Sequence, residues 1–490
     1  MNATKLLCLL LALLMAASML FACAQPSETP QDEADTPDTP SGTPEDEEAD
    51  EVFDIRKELE AMPKSTFTGD EFLIAASSTY EGRFTIDQFP IGTDKTGALV
   101  QDALFDRDAM IEEVFGITLA YDDVYDSGMY AKIGNSVRSG DDTYSLVLGS
   151  LAAVAINMFN NSLLYDLNTV QHIDLTKPWW NKNSIDNFQI NDQIYMATGA
   201  ITNRYVYSPY AVLFNQQLIN DYDLDNPHVL LENGEWTLEN FAEMIEDTYM
   251  DLNANDTIDV EDFFGLAPAS DSETAWYFAC GATMLAKDAD DELVFTYMED
   301  ENLSILDEVI MLYDSDSVLK YKQTYDSIAA FREGRAIFHS MALCDLTMLN
   351  DMTDNYGIVP MPKYDDLQES LYSNANRFIS TFAMLPSSIG DIDSVALIVE
   401  ALAMASQYTS LDKQYEQVLL NRQALDAQSK ASLIAVVEST TYDMCYAFNL
   451  ATMAERLRSV VNSGGSYASF YAQYEKSLPA ALEDFLAHFE

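Results

Sequence analysis

Aromatic side chains are concentrated between Lys177 and Asn215, where half of the four tryptophans stand side by side. The stretch opens on two tryptophans and closes on three tyrosines: Trp179, Trp180, Tyr205, Tyr207 and Tyr210. Trp and Tyr rings combine a large apolar face with one polar atom, so they suit both core packing and stacking on a flat ligand. The pattern leaves both uses open. We interpret the stretch as the first crossing between two lobes, with a ligand cleft beside it.

A second group of residues has the spacing of an EF-hand-like calcium loop. Oxygen ligands fall at loop positions 1, 3, 5, 9 and 12, and position 7 supplies a backbone carbonyl: Asp251, Asn253, Asn255, Thr257, Asp259 and Asp262. Two departures weaken the match, because Asp256 replaces the glycine of position 6 and Asp262 replaces the longer glutamate of position 12. The sequence therefore allows either a structural Ca²⁺ site or a solvated acidic turn.

The large excess of acidic residues limits which classes of molecule the protein can bind. The 490 residues include 81 acidic and 25 basic side chains, for a net charge of −56. Nucleic acids and anionic membrane surfaces need basic patches, so both are excluded as partners. Neutral or cationic ligands and bound cations are compatible, although most of these carboxylates are expected simply to face solvent.

Histidines and cysteines give no clear site. The four histidines are scattered, which argues against a His-based metal site, and no other cofactor is required. Beyond the N-terminal segment the cysteines are Cys280, Cys344 and Cys445, an odd number without close spacing. A disulfide framework is not indicated, and the sequence does not decide whether any pair is oxidised.

The N-terminus predicts export and lipid anchoring. Residues 1–22 read as a signal peptide, and Leu20-Phe21-Ala22-Cys23 resembles a lipobox whose cysteine is diacylated. An uncleaved anchor or an ordinary signal peptide is the alternative. Residues 23–67 are predicted to be an acidic disordered tether, since 24–51 contain no aromatic or large aliphatic residue. The predicted location is the extracellular face of the cell membrane.

The chain after Thr68 alternates strand and helix patterns. The predicted elements are a strand at 72–76, a helix at 97–115, a strand at 117–120, a helix at 129–137 and a strand at 144–148. This order with short loops predicts a parallel sheet, and ligands of such sheets lie at the carboxyl ends of the strands. That rule indicates Ser77–Tyr80 and Gly149-Ser150.

The ordered features resemble the extracellular solute-binding lipoproteins of ABC importers, in the branch of maltose- and oligosaccharide-binding proteins. The stretches that carry the resemblance are the lipobox and tether, the helix around 107–115, Lys177–Trp180, Val212–Asn215, Asn233–Thr237, Asp251–Gly265, Phe331–Ala336 and Tyr356–Lys363. The resemblance implies an α/β fold of the type II class, with two lobes, three crossings and a helical C-terminal region. Lobe one would comprise 68–206 and 323–386, and lobe two 207–322 and 387–490.

The resemblance also implies solute capture without catalysis. The lobes would close on a small solute, most plausibly an oligosaccharide, and a monomer with only a lipid anchor in the membrane would deliver it to ABC permease subunits. The expected ligand contacts are Trp179, Trp180, Tyr205, Tyr207, Tyr210, Trp276, Tyr277, Tyr372 and Arg377, whereas Trp236 is expected in the core. A secreted hydrolase and a cell-surface scaffold are the alternatives. No Gly-x-Ser-x-Gly, His-Glu-x-x-His or phosphate-loop motif supports the hydrolase.

Overall fold

The computed structural model describes residues 53–69, 71–80, 84–85, 87–320, 324–349, 351–420, 427–464 and 475–489. The predicted signal peptide, Cys23 and the first part of the tether lie outside the described residues. The last part of the predicted tether is ordered, which corrects that prediction. Its residues Ile55–Ala61 form a helix that buries Leu59, and Arg56 makes an ion pair with Glu113.

The described strands and helices follow one another along the whole chain. The strands are β1 Phe72–Ala76, β2 Thr79–Tyr80, β3 Phe84–Thr85, β4 Leu119–Asp123, β5 Leu146–Ser150, β6 Tyr210–Asn215, β7 Phe264–Leu266, β8 Leu285–Lys287, β9 Leu293–Phe295, β10 Ala336–Ala342, β11 Tyr356–Pro360, β12 Ser373–Asn374, β13 Thr381–Met384 and β14 Thr440–Thr441. The helices are α1 Ile55–Ala61, α2 Leu99–Phe115, α3 Asp126–Ser139, α4 Ile156–Asn160, α5 Lys182–Phe188, α6 Gln216–Asp221, α7 Pro227–Asn233, α8 Leu238–Ile245, α9 Ser272–Ala279, α10 Asp300–Asp314, α11 Thr324–Arg332, α12 Ile392–Gln407, α13 Ser410–Leu420, α14 Ala427–Glu438, α15 Met444–Ala447, α16 Met453–Ser463 and α17 Leu478–Leu486.

The first lobe is built on a four-stranded sheet in the order β13-β5-β1-β4. β1 is parallel to β4 and β5, as the sequence predicted, and β13 is added antiparallel at the edge next to β5. The strand β5 is buried at every position, which fits its run of apolar residues and its parallel pairing. The parallel strands therefore direct their carboxyl ends to one edge of this lobe.

The second lobe is built on a four-stranded sheet in the order β11-β6-β10-β7. The central strand β6 is antiparallel to both of its neighbours, and β7 is parallel to β10. Gly357 on β11 permits this pairing, because a Cβ atom there would lie 2.0 Å from the Phe214 ring. All six residues of β6 are buried, so the strand needs hydrogen-bond partners on both edges.

This pairing corrects the predicted division of the chain between lobes. The segment 323–386 was assigned to lobe one, but β10 and β11 pair within the second sheet, and only β13 returns to the first. The reason is that both edges of the buried strand β6 must be paired. The helix α12, assigned to lobe two, instead hydrogen-bonds to the first lobe, where Ser406 accepts from Arg107 at 3.2 Å.

The helix α12 is almost entirely enclosed, since every residue from Ser394 to Ser406 is buried. In the described part of the chain, no single helix is long and apolar enough to span a membrane. The helix α12 and the start of α13 reach that length and apolar character only when they are taken together, and they are bent by 43° relative to each other. The enclosure of α12 explains its apolar composition.

Candidate functional site

The two adjacent tryptophans converge on one carboxylate. The indole Nε1 of Trp179 donates to Oε1 of Glu400 and that of Trp180 donates to Oε2, each at 3.1 Å. Trp179 and Trp180 expose only 8% and 4% of their surface. The pair therefore packs in the first lobe around a residue of α12, and its burial argues against the predicted stacking on a ligand.

The backbone around the tryptophans is held against Gly199. Asn181 N donates to Thr198 O at 2.8 Å, and Ala200 N donates to Trp179 O at 2.9 Å. Gly199 has a φ of +155°, and a Cβ atom at this position would lie 2.2 Å from Trp179 O. Only glycine fits such an approach, so the tryptophan pair is fixed from its backbone as well as from its rings.

Glu400 is a buried carboxylate with an unusual proton affinity. Burial raises the pKa of its carboxyl from 4.5 to about 7, while hydrogen bonds from Trp180, the backbone of Asp174 and Trp179 oppose that rise. The side chain of Asp174 adds a neighbouring negative charge, which also raises this pKa. Near neutral pH the carboxyl therefore exchanges a proton inside the first lobe.

The three tyrosines of the aromatic stretch are buried, and the hydroxyls of Tyr205 and Tyr210 take part in hydrogen bonds between distant segments. Tyr205 accepts from Asn181 Nδ2 at 3.1 Å and donates to Val437 O at 3.3 Å. Tyr210 accepts from Asn376 Nδ2 at 3.0 Å. Burial raises the pKa of Tyr205 to about 12 and raises that of Tyr207 further. These phenols are neutral structural groups at physiological pH, and Tyr205 lies in a 3₁₀ turn that precedes β6.

The second predicted aromatic pair belongs to the core of the second lobe. Trp276 is fully buried, packs 4.7 Å from the Phe241 ring and donates from Nε1 to Ser340 Oγ at 3.3 Å. Tyr277 is 1% exposed and donates to Thr283 O at 3.4 Å. The core position predicted for Trp236 is confirmed, since it is 1% exposed.

Two chain segments that join the lobes run side by side. Asn376 N donates to Ser208 O at 2.8 Å, and Pro209 forms a β-bridge with Ala375. At the carboxyl end of β5, Ala152 N donates to Arg377 O at 3.0 Å. The crossing segments therefore meet the strand end Gly149-Ser150, the edge that the sequence indicated for a ligand.

Arg377 and Phe378 stand at this junction. The Arg377 guanidinium lies 5.4 Å from the centre of the Phe378 ring and donates from Nη1 to Tyr446 O at 3.0 Å. Its Nε atom is buried and has no hydrogen-bond partner. Phe378 is 40% exposed. An exposed ring beside an unused buried donor is suited to a ligand with both apolar faces and polar oxygens.

The opposite side of the junction comes from the second lobe. Asp271 follows the carboxyl end of β7 and pairs with Arg458 of α16 at 2.5 Å, while Ser270 Oγ accepts from Arg458 Nη2 at 3.0 Å. Burial raises the pKa of the Asp271 carboxyl, and the nearby charges of Arg458 and Arg377 lower it. Arg377 thus interacts electrostatically with a carboxylate of the other lobe.

The candidate site is this junction between the lobes. It brings together two residues named from sequence, Tyr210 and Arg377, with four that sequence reasoning missed: Asp271, Asn376, Phe378 and Arg458. Tyr372 is partly exposed and lies near Gly281, where an added Cβ atom would be 3.8 Å from its ring. The available signals were the position of Asp271 after a strand and of Phe378 next to Arg377.

The loop 251–262 has a left-handed backbone at position 6, as calcium loops do. Asp256 adopts a φ of +54°, the left-handed conformation usually left to glycine at position 6. Asp251 Oδ2 accepts from Asp256 N at 2.9 Å, and the buried Asp262 accepts from Asp259 N at 3.0 Å. Within the described residues, His, Cys, Asp and Glu side chains form no group of three or more that could hold a metal. Calcium binding by Asp251, Asn253, Asn255, Thr257, Asp259 and Asp262 stays a prediction.

The three described cysteines, Cys280, Cys344 and Cys445, are buried free thiols. Burial raises the pKa of each thiol, so the reactive thiolate is scarce at neutral pH. These side chains serve as small apolar core groups in this structure.

No model of a protein family matches the sequence, and no curated protein matches it. Solved structures do share its fold. A cyclo/maltodextrin-binding protein complexed with maltotetraose is 12% identical with a TM-score of 0.57, over 87% of this chain and 97% of that chain. UspC of M. tuberculosis is 13% identical with a TM-score of 0.55, over 84% of this chain and 100% of that chain.

A third structure is the ABC substrate-binding protein Lmo0181 from Listeria monocytogenes in complex with cycloalternan. It is 12% identical with a TM-score of 0.51, and the match covers 86% of this chain and 98% of that chain. The α/β class predicted from sequence is confirmed by these matches. The chain shares the fold of these three structures over most of its length.

Proposed function

We propose that this protein captures an oligosaccharide between its two lobes and delivers it to ABC permease subunits. The observation that carries the proposal is the junction at which Arg377 and Phe378 of a crossing segment face Asp271 of the second lobe. Sugar rings present C–H faces that pack on aromatic rings, and their hydroxyls bond to carboxylates, amides and guanidinium groups. The maltotetraose and cycloalternan complexes of two similar structures support this class of solute.

Capture follows from where the contacts lie. A ligand that touches residues of both lobes binds the closed arrangement more tightly than the open one and shifts the population toward it. Arg377 on the crossing segment and Asp271 on the second lobe would both contribute to this difference in affinity. The proposal includes a monomer held at the extracellular face of the cell membrane by lipid on Cys23, with the closed form as the state recognised by the permease.

Calorimetry against a panel of malto-oligosaccharides, cyclodextrins and isomalto-oligosaccharides tests the proposal. We expect stoichiometric binding without turnover by at least one of them. Phe378→Ala should weaken that binding at least tenfold without loss of thermal stability, because the ring is already 40% exposed. Tyr325→Ala is the matched control, since Tyr325 is 52% exposed and lies on α11 away from the junction.

Three results would contradict the proposal. Release of shortened sugars would indicate a hydrolase. Failure of every sugar to bind would favour a cell-surface scaffold. Equal weakening by Phe378→Ala and Tyr325→Ala would remove the junction as the binding site.

A further inference from the structure

A groove on the second lobe lies between α8 and α10, apart from the junction described above. It encloses about 680 Å³, and none of the residues of the candidate site lines it. Several of its lining residues are apolar, among them Leu238, Ala242, Ile245, Met311 and Leu312. We call this surface the α8–α10 groove.

One strongly exposed apolar side chain lines this groove, and a second follows the lining residue Asp365 along the chain. Met311 in its lining is 71% exposed, and Leu367, two residues beyond the lining residue Asp365, is 86% exposed. These are the two most exposed large apolar side chains in the described part of the chain. Exposed apolar groups that cluster at a groove are typical of interaction surfaces, whereas isolated ones carry no such meaning.

The charged rim of the groove is acidic. Its charged lining residues are Glu239, Glu243, Glu246, Glu308 and Asp365, and no lysine, arginine or histidine of the described residues lines it. Glu239 and Glu243 are four residues apart on α8, so their like charges repel each other on one face of the helix. A cationic partner would remove this repulsion.

The groove is fixed by the packing beneath it. The start of α8 is held by a bond from Leu238 N to Lys363 O at 2.7 Å. Its end packs closely on β7, because a Cβ atom on Gly265 would lie 2.5 Å from the Ile245 Cβ atom. Tyr364 donates to Glu308 Oε1 at 2.7 Å and fixes one carboxylate of the rim. A partner would therefore meet a preformed surface.

We propose that the α8–α10 groove is a docking surface for a basic amphipathic helix of a partner protein. The apolar residues of such a helix, spaced i, i+3 or i+4 and i+7, would pack on Met311 and the other apolar lining residues of the groove. Its lysines or arginines would face the acidic rim. Charge complementarity selects this occupant, because a second copy of the chain brings another net charge of −56 to the contact.

A designed peptide provides the test. The probe is a fluorescein-labelled 16-residue helix with leucines along one face and lysines along the other, and its control is a scrambled peptide of the same composition. We expect the wild-type protein to bind the amphipathic peptide at least tenfold more tightly than the scrambled one, by fluorescence anisotropy. Glu239→Lys with Glu243→Lys should weaken this binding at least tenfold, and Met311→Ser at least threefold.

The matched control changes charge elsewhere. Glu483→Lys with Asp484→Lys alters the same number of exposed acids on α17 and should leave affinity within twofold. Equal affinity for the two peptides, or equal weakening by the two double variants, would show attraction to overall charge alone and overturn the proposal. A wild-type dimer in sedimentation velocity that Met311→Ser converts to a monomer would assign the groove to a second copy, which also overturns it. Oligosaccharide binding is independent of these outcomes.

Discussion

The carboxyl of Glu400 should make the stability of the protein fall as pH rises toward neutrality. In the folded chain this carboxyl has a pKa of about 7, compared with 4.5 for an ordinary glutamate. Between these two values the folded state binds more protons than the unfolded state, so the free energy of unfolding decreases with increasing pH. The contribution is fully present below pH 4.5 and lost above pH 7.

The size of the effect follows from the difference between the two pKa values. Each pKa unit corresponds to about 1.4 kcal/mol, so a complete titration of Glu400 changes the free energy of unfolding by about 3 kcal/mol. The side chain is 4% exposed, so screening by solvent reduces this figure little. Glu400→Gln removes the titration, and it also places an NH₂ group against one indole N–H, which costs about 1–3 kcal/mol at every pH.

Urea unfolding of wild type and Glu400→Gln between pH 4 and pH 8 measures this contribution. The stability advantage of wild type over Glu400→Gln should shrink by about 3 kcal/mol across this range, although other carboxylates shift both curves together. Glu483→Gln, at an exposed position of α17, is the control and should run parallel to wild type. A constant difference between wild type and Glu400→Gln would refute the reasoning.

The same region supports two further predictions, and the acidic loop a third. Trp179→Phe and Trp180→Phe should each destabilise the fold by about 1–3 kcal/mol, because each leaves one oxygen of the buried Glu400 carboxylate without its hydrogen-bond donor. Thermal melting measures both variants, and a loss of stability in only one of them would contradict this equal role. Gly199→Ala should lower the free energy of unfolding by more than about 3 kcal/mol, since the added Cβ atom would lie 2.2 Å from Trp179 O. A melting temperature near that of wild type would contradict this close contact. At the predicted calcium loop, the purified protein should retain about one calcium by elemental analysis and Asp251→Ala should retain none, whereas equal metal in both would end the idea.

Local pattern predicted the elements of the first sheet with small errors at their ends. The strand at 72–76 is found as predicted, and the helix predicted at 97–115 spans Leu99–Phe115. Apolar periodicity reports burial, and burial determines where these elements begin and end. The predicted division between lobes was wrong because β10 and β11 pair with β6, a strand far away in the sequence. The periodicity of a segment does not specify which strand it pairs with.

The residues of the candidate site were harder to predict from sequence than the helices and strands. An aromatic residue in the sequence shows that a large apolar face must be covered, but not whether protein or ligand covers it. Trp180 is buried by protein, and its indole N–H bonds to Glu400, which is 220 residues away along the chain. Phe378, which stays exposed, belonged to no aromatic cluster and was overlooked. Asp271 was one of 81 acidic residues, so its pairing with Arg458 gave no signal in the sequence.

The burial of all four tryptophans has a spectroscopic consequence. Trp179, Trp180, Trp236 and Trp276 expose no more than 8% of their surface, and each indole N–H is bonded inside a lobe. Their emission should be blue-shifted, shielded from iodide quenching and nearly silent when solute enters between the lobes. An indole placed at the junction by Phe378→Trp would be the tryptophan that reports on closure.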